Sequence, residues 1–407
     1  MKNKYILVSS LLLSNYFSRS QNSESQTETP KVNTTEIEAV YNHYLQDGNN
    51  SAVTGGIGTE RLTVYGPSIN VKKGFGNNAI SIQLGADIIS SASTDRIDFV
   101  NSSASRLDAR TYTNLNYSRL LEKNKLSINA GVGFSIESDY FSFAKYLGAT
   151  KTSKDKMQTY SLDIQIFNDD LRWGRLNEQE NYGPSHLVYP EELRYREWYD
   201  VEKRNTYNAK LGFTQVINKR NIFGAIGAFS YQEGLLATPF HRIYFNDGTL
   251  GVEQLPKERY KTSLGLKLNS FVSGNFILKN TVTGYTDNFG INAFSFENET
   301  ALKLNPKVTL YGNLRFYTQT ESKYFAPYMT HDSNKRYYTS DYDLSKFNTI
   351  KLGLGVKFSP YKFRTKRKRF DSVTLRYNYL TRSNNLSGHM LSMSIQSTRF
   401  KPRKQKH

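Results

Sequence analysis

Residues 330–334 read THDSN and bring together a histidine, a serine and an asparagine. A serine hydroxyl becomes a nucleophile when a histidine accepts its proton, and an amide side chain can orient that histidine. His331, Ser333 and Asn334 have the residue types for these roles. However, the stretch lies in a polar segment, residues 321–344, and common polar residues form such a pattern easily by chance. We therefore expect no catalytic residues and no enzyme, and keep lipid hydrolysis by these three residues as the alternative function.

The same stretch is similar to the His-x-Ser-Asn core of outer-membrane phospholipases. The resemblance implies that Ser333 is the nucleophile, His331 its base, and an asparagine the residue that orients the base. The chain departs from the pattern at Lys335, where the phospholipases have glycine. The similarity covers these few residues only.

Metal-binding patterns are also weak. Asp47, Asn49 and Ser51 offer oxygen ligands at alternate positions, as a calcium loop does, but the later glycine and the distal glutamate are out of register. Glu137 and Asp139 could lie on one face of a strand and share a proton or a metal, or else form ion pairs in a polar wall. The histidines have no metal-ligand spacing. We expect no cofactor, and the sequence leaves a metal site open.

The segment 170–204 is the longest irregular connection and contains both tryptophans, Trp173 and Trp198. Its length favours a role as a plug, a lid or a receptor surface. Binding and plain packing remain equal alternatives for its aromatic residues and neighbouring arginines, which are Arg172, Arg175, Arg194, Tyr195, Arg196 and Tyr199.

The elements that must position these residues follow an alternation of apolar and polar residues. Three examples are 80–88 (ISIQLGADI), 126–136 (LSINAGVGFSI) and 160–166 (YSLDIQI). An apolar residue at every second position predicts a strand with one apolar and one polar face. Such strands can form a sandwich, or a closed barrel whose apolar face contacts lipid.

The connections favour the barrel. Short turns rich in Lys, Asn and Gly largely alternate with long irregular segments, as in an up-and-down meander whose tight turns all lie at one end. We therefore predict an all-β fold, a single antiparallel transmembrane barrel of about sixteen strands (fourteen to eighteen). The predicted strands are 36–46, 60–73, 77–91, 108–121, 125–136, 139–149, 157–169, 205–217, 221–233, 259–270, 275–287, 290–303, 307–320, 346–359, 370–382 and 387–400.

Composition agrees with an exported protein. The chain has 407 residues, no cysteine and a formal net charge of +18. No run approaches the ~20 consecutive apolar residues of a membrane-spanning helix. Lys2, Lys4 and the short apolar run 6–13 predict a signal peptide over 1–20. A disordered polar segment (21–35), the barrel (36–400) and a basic periplasmic tail (401–407) follow.

Basic residues concentrate at the predicted short turns, in 359–369 and in the tail 401–407. Because they fall at turns along the whole chain, we interpret them as a solvated periplasmic rim and expect no nucleic-acid partner. The rim offers a dock for a periplasmic protein, and outer-membrane lipid surrounds the wall. The predicted location is the outer membrane of a bacterium.

Several stretches resemble the DUF3570 family of bacterial (Bacteroidota-like) outer-membrane proteins. They are 47–60 (DGNNSAVTGGIGTE), 87–95 (DIISSASTD), 137–140 (ESDY), 287–291 (DNFGI) and 338–347 (YTSDYDLSKF). The resemblance spans about residues 36–400, and its first two motifs are the more specific. It implies an outer-membrane β-barrel of unassigned function, with a hint of a redox-linked partner and no catalytic residues. Our predicted function is a pore for small solutes or a scaffold for a periplasmic partner.

Overall fold

The computed structural model describes residues 33–91, 107–137, 140–171, 202–238, 241–360 and 368–400. The signal peptide, the basic tail, most of 21–35 and almost all of the 170–204 segment lie outside these residues. The strands are β1 (Thr34–Asp47), β2 (Leu62–Phe75), β3 (Asn78–Ser91), β4 (Leu107–Leu121), β5 (Leu126–Glu137), β6 (Tyr140–Thr152), β7 (Gln158–Leu171), β8 (Glu202–Val216), β9 (Asn221–Gly234), β10 (Arg242–Tyr244), β11 (Leu250–Val252), β12 (Glu258–Ser273), β13 (Phe276–Asp287), β14 (Asn292–Asn305), β15 (Val308–Gln319), β16 (Phe347–Phe358), β17 (Lys368–Arg382) and β18 (Leu386–Phe400).

All strands except β10 and β11 form one closed antiparallel barrel, so the predicted fold and the count of sixteen are confirmed. The ladder that closes it joins β1 to β18, from Thr34 opposite Phe400 to Asp47 opposite Ser387. Closure leaves no strand edge unpaired. Because first and last strands are antiparallel and the strand number is even, both ends of the barrel chain lie at the same end.

Short turns connect most strands at that end, which we call the turn end. The longest connections lie at the opposite loop end, together with short ones at 288–291 and 383–385. The region 126–152 forms two strands, β5 and β6, as the alternation predicts. The β10–β11 hairpin was not predicted. It lies inside the connection between β9 and β12, and β10 and β11 pair only with each other. Three short 3-10 turns, Ala52–Thr54, Glu122–Asn124 and Tyr342–Leu344, are the only helical elements among the described residues.

The alternation places apolar side chains on the outer surface of the wall. On β3, Ile80, Ile82, Leu84 and Ile88 are all exposed on one face. The same holds around the barrel, and Leu354 on β16 is 76% exposed. Exposed apolar side chains on every strand of the barrel form the apolar band that contacts lipid in a transmembrane barrel. No helix in the described part of the chain is long and apolar enough to cross a bilayer.

The other face of each strand points into the lumen. Arg376 of β17 illustrates this, because it lies between the exposed Leu375 and Tyr377 and donates to Glu299 of β14. Two strands, β15 and β16, separate β14 from β17. Side chains can meet across such a gap of ~14 Å only on the concave side of the wall. The polar positions of the alternation therefore line the interior.

Candidate functional site: a charged lumen beneath a cap of loops

One half of the lumen wall, strands β12–β17, is predominantly basic. Its acids on the lumen face are Asp287, Glu297, Glu299 and Asp371, of which Asp371 pairs with Arg369 near the turn end, and they are outnumbered by bases. The lumen-facing bases, identified by their alternation with exposed apolar residues, are Arg259, Lys261, Lys267, Lys279, Arg315, Lys351, Lys357, Arg376 and Arg382.

Glu299 lies at the centre of this basic wall. Lys279 Nζ lies 2.8 Å from Glu299 Oε1, and Arg376 Nη1 lies 2.8 Å from Oε2. The Arg376 guanidinium also lies over the Tyr311 ring, 4.4 Å from its centroid. Asn313 donates to Glu297 at 3.1 Å. Two cations thus hold one carboxylate, and side chains from β13, β14, β15 and β17 are fixed in one plane of the lumen.

The opposite half of the wall, β1–β8, balances each lumen-facing base with an acid. Arg110 contacts Asp87 at 2.5 Å, and Arg204 contacts Asp169 at 2.9 Å. Two further bases have acids directly opposite them in the strand register: Lys210 faces Asp163, and Lys72 faces Glu36. Glu38 and Glu137 add further acids.

Amides, hydroxyls and tyrosines fill much of this second half. The Tyr112 ring covers Gly85 so closely that a Cβ on Gly85 would collide with it. A Cβ on Gly133 would lie 2.8 Å from the Tyr146 hydroxyl. Glycine at these positions lets an aromatic ring lie flat against the wall, as is common across paired strands. The lumen therefore has two chemically different sides.

Three connections at the loop end meet over the lumen, and we call them together the cap: 48–61, 235–257 and 320–346. Gly55 of the first packs on Tyr244 of the second, and Gly56 packs on Tyr342 of the third. Strands β1 and β2 stand across the barrel from β9 and β12 in the strand order. A contact between their connections must therefore cross the mouth.

Backbone hydrogen bonds join the second and third connections. Gln254 N donates to Tyr338 O at 3.1 Å, and Tyr338 N donates to Gln254 O at 2.8 Å. Asn246 N donates to His331 O at 2.9 Å. Beneath these bonds a small apolar cluster contains Phe289 and Leu344. The cap is thus a packed layer with its own core.

Buried charged groups complete the cap. His241 Nδ1 lies 3.2 Å from Glu253 Oε1, and the two side chains are 1% and 0% exposed. Glu253 also accepts from Thr339 Oγ1 at 2.5 Å and from Thr238 N at 2.6 Å. A buried carboxylate is costly without donors, so these three contacts stabilise Glu253 in its buried position, and the Thr339 contact ties 235–257 to 320–346.

Asp341 and Asp343 connect this network to the wall. Asp341 is the N-cap of the 3-10 turn and accepts from Asp343 N at 2.8 Å. Asp343 accepts from Arg382 Nη1 at 2.6 Å, and Arg382 lies over the Phe347 ring at 3.7 Å. Arg382 of β17 therefore anchors the cap to the barrel.

The pKa values of three acidic or basic groups in the cap shift in the same direction. Burial and the nearby Asp343 raise the pKa of Asp341 to about 7, although His241 opposes the shift. Burial lowers the pKa of His241, but the Glu253 carboxylate outweighs it and the net pKa is raised. Loss of hydration and Asp343 raise the pKa of Glu60 well above its ordinary value. Each of these groups holds its proton more tightly in the closed cap.

The structure gives each residue of the proposed lipase site a different partner. His331 Nε2 lies 2.9 Å from Ser340 Oγ and the histidine is 3% exposed. Ser333 bonds to Asp247, and Asn334 donates to Asp332. Burial lowers the pKa of His331.

The candidate metal ligands lie on different strands, Asp47 at the end of β1 and Glu137 at the end of β5. Asp47 pairs with Arg61 at 3.0 Å. Glu137 is buried in the wall, and Asp139 lies outside the described residues. Throughout the described ranges, no cluster of three or more His, Asp and Glu side chains is arranged to hold a metal ion. Trp173 and Trp198 also lie outside those ranges.

Sequence reasoning missed the cap network. His241, Glu253 and Arg382 are far apart in the chain and belong to no recognisable spacing. One signal was present, since the 338–347 motif contains Asp341 and Asp343.

The motif that includes these two aspartates lies within a match to a protein-family model. Residues 98–397 match the model described as protein of unknown function (DUF3570). The chain belongs to this family. The match begins after 47–60 and 87–95, the two stretches on which the resemblance chiefly rested. No curated protein matches the chain in sequence.

Several solved structures are similar to this DUF3570 protein. The P. putida toluene transporter TodX is 10% identical, with 93% of this chain and 92% of that chain covered and a TM-score of 0.40. OpdK of Pseudomonas aeruginosa, solved with vanillate, is 8% identical, with 90% of this chain and 98% of that chain covered and a TM-score of 0.41. A bacterial polysaccharide outer membrane secretin is 8% identical over 91% and 99%, with a TM-score of 0.44.

Proposed function

We propose that this protein is a channel for small solutes in the outer membrane of a bacterium, and that the cap gates it. The observation that carries the proposal is the division of the wall: exposed aliphatic residues outside, charged residues inside. Charged side chains such as Lys351 and Arg315 need water around them. A barrel of sixteen strands is wide enough to hold an aqueous channel.

The same wall and the predicted export signal support this location. Closed barrels with an apolar outer band span bacterial outer membranes, with short turns on the periplasmic side. In this orientation the cap faces outwards. Heat-modifiable migration in a denaturing gel and recovery in the outer-membrane fraction test the location. Recovery in the soluble periplasm would contradict it.

Planar-bilayer recording of the purified protein tests the channel. We expect discrete conductance steps, since a hydrated lumen connects the two ends when the cap opens. A protein that is folded by the gel criterion but gives no steps at any pH or voltage would refute the channel.

The gate has its own test, because the chain contains no native cysteine. Gln254 and Tyr338 exchange both backbone hydrogen bonds, so their Cα atoms lie about 5.5 Å apart, within disulfide range. In the Gln254→Cys/Tyr338→Cys variant, oxidation locks two connections of the cap and is expected to reduce the open time. Reduction restores it. The single Gln254→Cys variant is the control, and equal open times in oxidised and reduced double variant would refute the gate.

A second role is favoured by the charge of the turn end. Lys123, Lys125, Lys219 and Arg220 lie in its turns. We propose that this basic rim docks an acidic periplasmic protein, since opposite charges steer association. The purified barrel should capture an acidic periplasmic protein at low salt and release it at high salt. Capture that persists unchanged at high salt, or after charge reversal of these four residues, would count against the dock.

We propose no enzymatic role. Lipid hydrolysis that is present in the purified protein and lost in Ser333→Ala would establish the alternative and overturn this view.

A further inference from the structure

The two halves of the lumen wall differ in how their charges are balanced. On β1–β8 the bases at Lys72, Arg110, Arg204 and Lys210 each face an acid, through contacts or strand register. On β12–β17 the acids are fewer than the bases. A positive surface therefore faces a neutral to acidic one across the lumen.

The excess of basic over acidic side chains is concentrated near the middle of the β12–β17 wall. Glu299 is already shared by Lys279 and Arg376. Lys351 of β16 lies directly opposite Arg315 of β15 in the strand register, and Arg315 lies opposite Glu297 of β14. Arg315 lies over the Tyr317 ring at 5.8 Å, so its guanidinium is held against the wall. The two acids cannot neutralise all four bases of this group.

The sign of this excess charge determines which ions the lumen favours. Within a lumen bounded by low-dielectric protein and lipid, fixed charges attract ions of opposite sign and raise their local concentration. The screening length of ~8 Å at physiological salt is comparable to the radius of such a lumen, so the excess acts on a passing solute.

We propose that the β12–β17 wall makes the lumen selective for small anions, with Lys351 and Arg315 as the specificity-determining residues. The chemical class of solute is a carboxylate or phosphate anion, whose oxygens match the guanidinium and ammonium donors of this wall. The proposal rests on the channel function above.

Reversal potentials under a KCl gradient test the selectivity separately from the channel. Conductance steps with a preference for chloride over potassium are the expected result. Steps with equal or cation-selective permeability would overturn the anion proposal and leave the channel standing, whereas an absence of steps would refute the channel itself.

Substitutions on the β12–β17 wall test whether its charges cause the anion selectivity. We expect Lys351→Gln and Arg315→Gln each to lower the chloride-to-potassium permeability ratio roughly two- to four-fold, as removal of one charge at ~5–10 Å in water predicts once screening by salt is included. Glu299→Gln should raise the ratio, because Lys279 and Arg376 are released from their acid.

Lys351→Arg keeps the charge and serves as the matched control, with an unchanged ratio expected. All variants are first checked for heat-modifiable folding. A ratio that falls equally in Lys351→Arg and Lys351→Gln would show that packing, and not charge, is responsible, and a Glu299→Gln ratio that does not rise would also contradict the proposal.

Discussion

The barrel wall and the cap are stabilised in different ways. In the wall, every strand pairs along nearly its whole length with two neighbours. For example, β1 pairs with β18 over its full length, from Thr34 to Asp47. In the cap, a few reciprocal backbone bonds and one buried group of charges, centred on Glu253, hold distant connections together. The wall is a repeated local pattern, and the cap depends on single residues. This difference predicts that the cap opens while the wall stays folded.

The largest effect is expected at Glu253. In Glu253→Ala, the His241 imidazole, the Thr238 amide and the Thr339 hydroxyl lose a shared acceptor, and breaking such a buried pair costs about 3–5 kcal/mol. Limited proteolysis should cleave 235–257 and 320–346 faster while heat-modifiable migration is unchanged. Lys257→Ala, which removes an exposed charge from the same connection, is the control. Loss of heat-modifiability would show that cap and wall are one unit.

The wall should respond to a charge on its outer face. Leu266 of β12 is 44% exposed towards lipid, and Leu266→Arg should lower the free energy of unfolding by about 2–4 kcal/mol. Ser263→Arg places the same side chain in the hydrated lumen and should cost far less. Urea unfolding in lipid vesicles measures both variants. Equal losses would contradict the assignment of the two faces.

Gly55 tests the contact that crosses the mouth. Its φ is +80°, and a Cβ would lie 2.5 Å from Tyr244. Gly55→Ala should weaken the closed cap, with roughly 1–2 kcal/mol from backbone strain alone. Gly76, also at positive φ but with open space around it in a turn-end turn, is the matched control as Gly76→Ala. Bilayer recordings should show longer open times for Gly55→Ala only.

The smallest effect is expected from pH. Asp341, with its pKa raised to about 7, binds a proton in the closed cap that it releases in an open one between pH ~4 and ~7. Closure is therefore favoured at low pH and weakened as pH rises through this window. The raised pKa of His241 adds to the weakening above its ordinary value.

Recordings across pH should thus show the open time increasing from acid to neutral conditions, because the closed cap binds the Asp341 proton more tightly than the open cap does. Asp341→Asn imitates the protonated acid and should flatten much of the dependence. A channel that opens on acidification would reverse the assignment.

Much of the wall was predictable. The alternation at 80–88 and 126–136 gave strands close to β3 and β5, because the side-chain period of a strand is local and sets which face each residue occupies. The hairpin β10–β11 was not predicted, since its three-residue strands are too short to show a period. His331 and Ser333 lie two positions apart in the sequence and suggested a catalytic alternative, yet the fold gives them separate partners, Ser340 and Asp247.

The sequence by itself determined the strands, the apolar and polar face of each strand, and the end of the barrel at which the short basic turns lie. Each of these depends on neighbours in the chain. Only the tertiary structure decided that β1 closes on β18, that Gly55 meets Tyr244 across the mouth, and that Arg376 and Lys279 share Glu299. Closing the wall brings residues from distant strands into one space, and their charges combine there in a way that no spacing along the chain records.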